Sequence, residues 1–153
     1  MIAENKKKAL KIISEKLKGK KINWCLIGST NLALQGVNVN PHDIDILTDK
    51  KGAYQIGKYL KEYEIEPTHW RESKNLASHY GKFEINNTEI EVIGELQKKG
   101  IYTHPHKKMK KVLIKIDDFK IPCADLNFEY SAYLNLGRKE KAKLIKQKMK
   151  TIY

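Results

Sequence analysis

Trp24-Cys25-Leu26-Ile27-Gly28-Ser29-Thr30, a short apolar helical stretch, and then Pro41-His42-Asp43-Ile44-Asp45-Ile46-Leu47 form the segment that decides the fold. Its first half is an apolar run ending in a small-residue turn, the pattern of a buried strand that delivers the chain to a helix start. Its second half sets two aspartates at i and i+2 of another apolar run. Successive strand side chains point to opposite faces, so Asp43 and Asp45 share one face while Ile44 and Ile46 share the other. Two residues of strand separate their Cα atoms by roughly 6.6 Å, from which two carboxylates can converge on one hard cation. A solvated edge strand would also tolerate Asp-x-Asp. The apolar neighbours Ile44, Ile46 and Leu47 argue instead for a central strand, where two like charges raise each other's pKa unless a cation neutralises them.

Within the turn, Gly28 allows a tight backbone path and close approach by a ligand. Ser29 has two uses open to it. It can cap a helix over 30–35, or it can donate its hydroxyl to a phosphate beside the exposed N–H groups of that helix. Gly36 closes the helix. Pro41 holds Asn40 extended in the loop that follows, and His42 precedes the first aspartate as either a phosphate contact or a solvent-facing loop residue.

Outward from this segment the pattern is regular. Residues 3–17 form an amphipathic helix with Ile2, Ala9, Leu10, Ile13 and Leu17 on one face. Asp49 caps a helix over 51–63 whose apolar face is Ala53, Ile56, Tyr59, Leu60 and Tyr63. A short strand is expected over 64–68 and an irregular loop carrying Trp70 over 69–78. Residues 79–85 and 88–93 read as a hairpin about Asn86-Asn87, since asparagine tolerates left-handed dihedrals. Residues 94–111 read as a loop. Its basic run, from His104 to Lys111, is a solvated segment first, an anion contact second and a metal site last, because no third ligand lies nearby. A second hairpin spans 112–116 and 119–122. Helices follow over 126–136 and 138–151, separated by Gly137.

The composition sets further bounds. A chain of 153 residues fits one domain with its own core. Thirty Lys+Arg against eighteen Asp+Glu give a net charge of +12, which favours an anionic partner although much of the lysine lies on solvated helix faces. Two cysteines, Cys25 and Cys123, sit in apolar strands and read as small buried residues. No apolar run approaches the roughly 20 residues of a membrane span, and no signal peptide is read at the basic N-terminus, so a cytoplasmic location without membrane association is expected.

The order Gly28-Ser29, one short helix, then Asp43-Ile44-Asp45 resembles the signature of the nucleotidyltransferase superfamily with the polymerase-β-like fold. The resemblance covers roughly residues 22–145 and is nearest to the minimal members. It implies an α+β fold of α/β-like character, with a mixed central sheet flanked by helices in a single domain over 1–153. It also implies a third carboxylate on the strand beside Asp-x-Asp. Glu91 fits that position best and Glu89 is the alternative. Many relatives carry aspartate there, so a glutamate leaves room for lost catalysis. The stretch from Asn127 to Lys141 is similar to the C-terminal helices of small members. This would bring Tyr133, Arg138 and Lys141 near the cleft, where Arg138 or Lys141 balances triphosphate charge; simple helix-surface lysine and arginine explain them equally well.

What the resemblance implies is metal-dependent transfer of a nucleoside monophosphate from an NTP, with ATP the first choice, to a hydroxyl acceptor. Asp43, Asp45 and Glu91 would be catalytic and would bind Mg²⁺ or Mn²⁺. Gly28, Ser29, Thr30, His42, Arg138 and Lys141 would bind the nucleotide. The acceptor is open: an RNA end, a small molecule or a protein side chain. The competing expectation is a catalytically inactive module of the same fold, antitoxin-like or regulatory, that contacts a protein or RNA partner.

Overall fold

Strand β2 (Ile44–Thr48) occupies the middle of a mixed sheet, and the rest of the chain is laid out on either side of it. In the computed structural model, residues 2–98, 101–102 and 110–152 are described. Helix α1 (Glu4–Leu17) leads to β1 (Trp24–Ile27), then α2 (Gly28–Leu34), β2 and α3 (Lys50–Tyr59). A 3-10 turn (Lys61–Tyr63) precedes β3 (Glu64–Glu72), β4 (Leu76–Ile85), β5 (Thr88–Lys98) and the short β6 (Ile101–Tyr102). The chain closes with β7 (Lys111–Ile116), β8 (Phe119–Ala124), α4 (Leu126–Asn135) and α5 (Lys139–Ile152).

The strand order is β3-β4-β5-β2-β1-β8-β7, with β6 pairing β5. β2 runs antiparallel to β1 and parallel to β5, and β1 runs parallel to β8. The expected α+β fold with a mixed, helix-flanked sheet is the observed one. The parallel pairing of β2 with β5 matters most. Its register sets Ile44 beside Ile90 and Asp45 beside Glu91, so the alternation of both strands is in phase.

One face of the sheet is sealed. Ile44, Ile46, Ile90, Val92 and Phe83 pack there with Ala9, Leu10 and Ile13 of α1 and Ala53 and Ile56 of α3 in one buried cluster. The four residues expected on the buried face of α1 are buried, as is Ile2 just ahead of it, and Asp49 caps α3 by accepting a bond from Gly52 N–H at 2.6 Å. The other face is covered only over part of its area. There Cys25, Leu47 and Ala124 are buried, with Ile93, Leu96 and Phe128 packed against them. Helices α2, α4 and α5 share a separate apolar cluster of Leu32, Val37, Leu126, Tyr133, Ala142 and Ile145. The remainder of that face, over β2, β5, β4 and β3, carries the polar side chains described below. Both cysteines are buried, as expected.

Several expectations are corrected. Of residues 69–78 only 73–75 are a loop: β3 and β4 form a long hairpin, and Trp70 lies within β3, its ring 4.9 Å from that of His79. Strand β3 is the sheet edge, with mostly exposed side chains and Pro67 in its middle. An edge strand needs neither an apolar rhythm nor every backbone N–H. Likewise β5 continues to Lys98 where a loop was expected. Asn86 and Asn87 do form the hairpin turn, both in the left-handed region at φ +50° and +58°. Asp43 stands just before β2 instead of opening it. Most of the basic run from His104, including both histidines, lies outside the described residues.

Candidate metal and nucleotide site

The alternation of β2 and β5 gathers four carboxylates on the partly open face. Carboxylate oxygens of Asp43, Glu89 and Glu91 lie within 4.8 Å of one another, and all three side chains are half-buried. Asp45, in register with Glu91, stands deeper on the same face. Burial first, and then the neighbouring Glu91 and Asp43, push the Asp45 carboxyl up to about 7. Asp43 is also raised, by burial and then by Glu89 and Glu91.

The two glutamates differ in their partners. Glu89 is paired with Lys82, Nζ to Oε1 at 2.6 Å. Glu91 accepts a hydrogen bond from the neutral Tyr80 hydroxyl at 2.9 Å. Among the described residues, no lysine, arginine or histidine lies within 4.0 Å of Asp43, Asp45 or Glu91. Closely spaced oxygen donors without an organic counter-ion suit a hard divalent cation.

Gly28 borders this cluster. It takes φ +79°, and a Cβ placed there would lie 2.5 Å from Asp45 Oδ2. The glycine is therefore required twice, by its left-handed backbone and by the approach of the aspartate. The cap, one of the two uses open to Ser29, is not made. Helix α2 begins at Gly28 after Ile27, whose side chain makes no cap bond. Ser29 Oγ instead accepts a bond from His42 N–H at 3.2 Å, tying the turn to the loop before β2. Thr30 is fully buried and donates its hydroxyl to the Asp43 carbonyl at 2.7 Å. Thr30 thus fixes the backbone of a carboxylate residue, a part that its sequence position did not reveal. His42 is exposed beside Asp43.

One residue of the site was not foreseen. Glu129, on α4, is 2 % exposed and reaches the start of α2. Its Oε2 accepts from Gly28 N–H at 2.8 Å and from Asn31 Nδ2 at 3.0 Å. Burial raises its carboxyl to about 7, against the two hydrogen bonds that favour the charged form. Asn31 Nδ2 also donates to the Ala124 carbonyl, and Gln35 Nε2 joins Asn31 Oδ1 to the same carbonyl. The only hint in the sequence was a glutamate amid apolar residues in Asn127-Phe-Glu-Tyr130.

The same helix carries Tyr133 close enough to Glu129 and Asp45 for both charges to act on its hydroxyl, which burial raises to about 12. Arg138 and Lys141 both stand over the Tyr133 ring, at 5.3 and 5.6 Å from its centroid. The amine of Lys141 is lowered by burial and by Arg138. The C-terminal helices therefore fold back towards the acidic cluster with two cations at their junction.

Comparisons with known proteins agree with this architecture. The model of the aminoglycoside-2''-adenylyltransferase family matches residues 9–151. A crystal structure described as a "putative nucleotidyltransferase" from Thermotoga maritima superimposes with a TM-score of 0.83 at 34% identity, covering 99% of this chain and 96% of the other. An antigenic nucleotidyltransferase-like protein from Paracoccidioides brasiliensis shares the fold at a TM-score of 0.59 and 14% identity, over 97% of this chain and 77% of that one. A search of the curated proteins gives no significant match. The chain belongs to the aminoglycoside-2''-adenylyltransferase family, within the nucleotidyltransferase superfamily.

Proposed function

We propose that the protein transfers a nucleoside monophosphate from an NTP, ATP first among them, to a hydroxyl acceptor, with release of pyrophosphate. The observation that carries this is the cluster of carboxylates at β2 and β5, with no cationic partner among the described residues at Asp43, Asp45 and Glu91, set against the Gly28 turn. Asp43, Asp45 and Glu91 would hold Mg²⁺ or Mn²⁺. When bound, the divalent ion supplies charge neutralisation for the phosphates and acidifies the acceptor hydroxyl.

The chain's own residues do the rest. Thr30 and the His42–Ser29 bond hold the segment before β2 against the α2 turn, which fixes the two aspartates relative to Gly28. Tyr80 orients the Glu91 carboxylate, which accepts the acceptor's proton. Ser29 and the first turn of α2 line the phosphate side, with Gly28 admitting close approach. The Gly28 N–H is already bonded to Glu129, so it shapes the turn and is not a free phosphate donor. His42, Arg138 and Lys141 contribute positive charge around the triphosphate. Catalysis in this arrangement is positioning and charge balance.

Calorimetry tests the reading. ATP is expected to bind with Mg²⁺ and to bind poorly with EDTA, and Asp45→Asn should remove the metal-dependent part. Equal binding in both conditions would reject the metal-dependent site and leave the inactive-module expectation standing.

A further inference from the structure

A cavity of about 270 Å³ opens directly beside Glu91, on the side away from Gly28. Its walls include Arg71 on β3, Tyr80 on β4, and Leu76, Ile93 and Leu96. A second hollow of about 240 Å³ shares Leu76 and Leu96 with it and runs to α4. A third, at the same mouth, includes Lys74 and Lys98. The space therefore has apolar walls, one carboxylate at its inner end and cations along its outer side.

Arg71 is the decisive group. Its guanidinium stacks on the Tyr80 ring, 4.3 Å from the centroid, and Tyr80 in turn is bonded to Glu91. Among the described residues, no carboxylate lies within 4.0 Å of the Arg71 guanidinium. The guanidinium has five N–H donors, so the contact with Tyr80, which includes its hydroxyl, leaves others for an anion. Resting on the nucleotidyl-transfer reading above, we infer that this cavity is the acceptor pocket and that the acceptor is an alcohol bearing a phosphate or carboxylate group. The anion lies on Arg71 and the hydroxyl faces Glu91.

The step balances. The acceptor oxygen forms a bond to the α-phosphorus as the bond to pyrophosphate breaks, and the hydroxyl proton passes to the Glu91 carboxylate. A polycationic acceptor of the kind named in the family description fits poorly. It would meet Arg71, Lys74 and Lys98, find one carboxylate already engaged with Tyr80, and approach a chain of net charge +12.

The test is a calorimetric titration with Mg²⁺ and a non-transferable ATP analogue present. The probes are glycerol 3-phosphate, ribose 5-phosphate, glycerate, glycerol and kanamycin. At least one anionic alcohol is expected to bind, with glycerol and kanamycin silent; whether phosphates or glycerate bind identifies the anion. Arg71→Ala should weaken that binding tenfold or more, and Arg71→Lys should restore only part. Kanamycin binding in place of the anionic probes, silence from all three of them, or an unchanged affinity in Arg71→Ala overturns the inference. Titrating the analogue with Mg²⁺ alone keeps the two ideas apart. Failure there rejects the nucleotide site, whereas normal analogue binding with an indifferent Arg71 rejects only the acceptor pocket.

Discussion

Two acidic centres flank Gly28, and they are built in opposite ways. On one side Asp43, Asp45, Glu89 and Glu91 crowd together half-buried, and among the described residues only Glu89 has a cationic partner. On the other side Glu129 is sealed at 2 % exposure and accepts hydrogen bonds from Gly28 and Asn31. A buried carboxylate is tolerated when fixed donors replace its water. Glu129 meets that condition from within the fold and acts as a structural tie between α4 and α2. In the Asp43–Asp45–Glu91 group the Tyr80 hydroxyl serves Glu91 alone, and the charge left without a cation among the described residues is the mark of a site completed from outside.

The sharpest way to break the contrast is Asp45→Asn. Transfer should fall by about a hundredfold or more, equivalent to about 2.7 kcal/mol. The melting temperature at pH 8 should hold or rise, because Asp45 titrates at about 7 in the fold and its ionised form is disfavoured there. The tie should respond the other way. Glu129→Ala should cost about 1–3 kcal/mol in denaturant unfolding, since the Gly28 N–H and the Asn31 amide lose their acceptor in a dry site. Glu129→Gln retains an acceptor oxygen and should cost less. Gly28→Ala joins both centres. Its φ of +79° costs an alanine about 1–2 kcal/mol, and the added methyl must displace the Asp45 carboxylate, so stability and transfer should fall together.

Smaller effects concern protons and metal. The folded-state values of Asp45 and Glu129 both lie near 7, above their ordinary range. The native protein therefore holds more protons than the unfolded chain between the usual carboxylate range and about pH 7. Without metal, stability should fall as pH rises through that window. Mg²⁺ competes with those protons at Asp45. At ten times its dissociation constant it should raise the melting temperature by about 3–5 °C at pH 8 and by less at pH 5.5, as scanning fluorimetry would read. The smallest effect expected is for Glu89→Gln. Lys82 already neutralises that carboxylate, so transfer should change by less than about tenfold in the same assay that reads Asp45→Asn.

Much of this was legible in the residues. Gly28-Ser29 before a short helix and Asp43-Ile44-Asp45 on an apolar run pointed to the fold, and the family resemblance they carry offered Glu91, with Glu89 the alternative, as the third carboxylate. The strand expected over 64–68 is the first half of β3, and its second half was missed because an edge is wetted and need not alternate. Of the two uses open to Ser29, the cap is not made, because a hydroxyl after a glycine caps helices and accepts loop amides equally well, and only the position of His42 decides between them.

Periodicity is a local property, so the chain by itself determined which side chains share a face, which helices are amphipathic and where the turns fall. Partnership is not local. Register between β2 and β5 set Asp45 against Glu91, and a contact spanning 101 residues put Glu129 behind Gly28. Stacking on Tyr80 gave Arg71 its place. Each of these follows from how whole elements pack, because only packing removes water from a carboxylate or holds a cation against a ring.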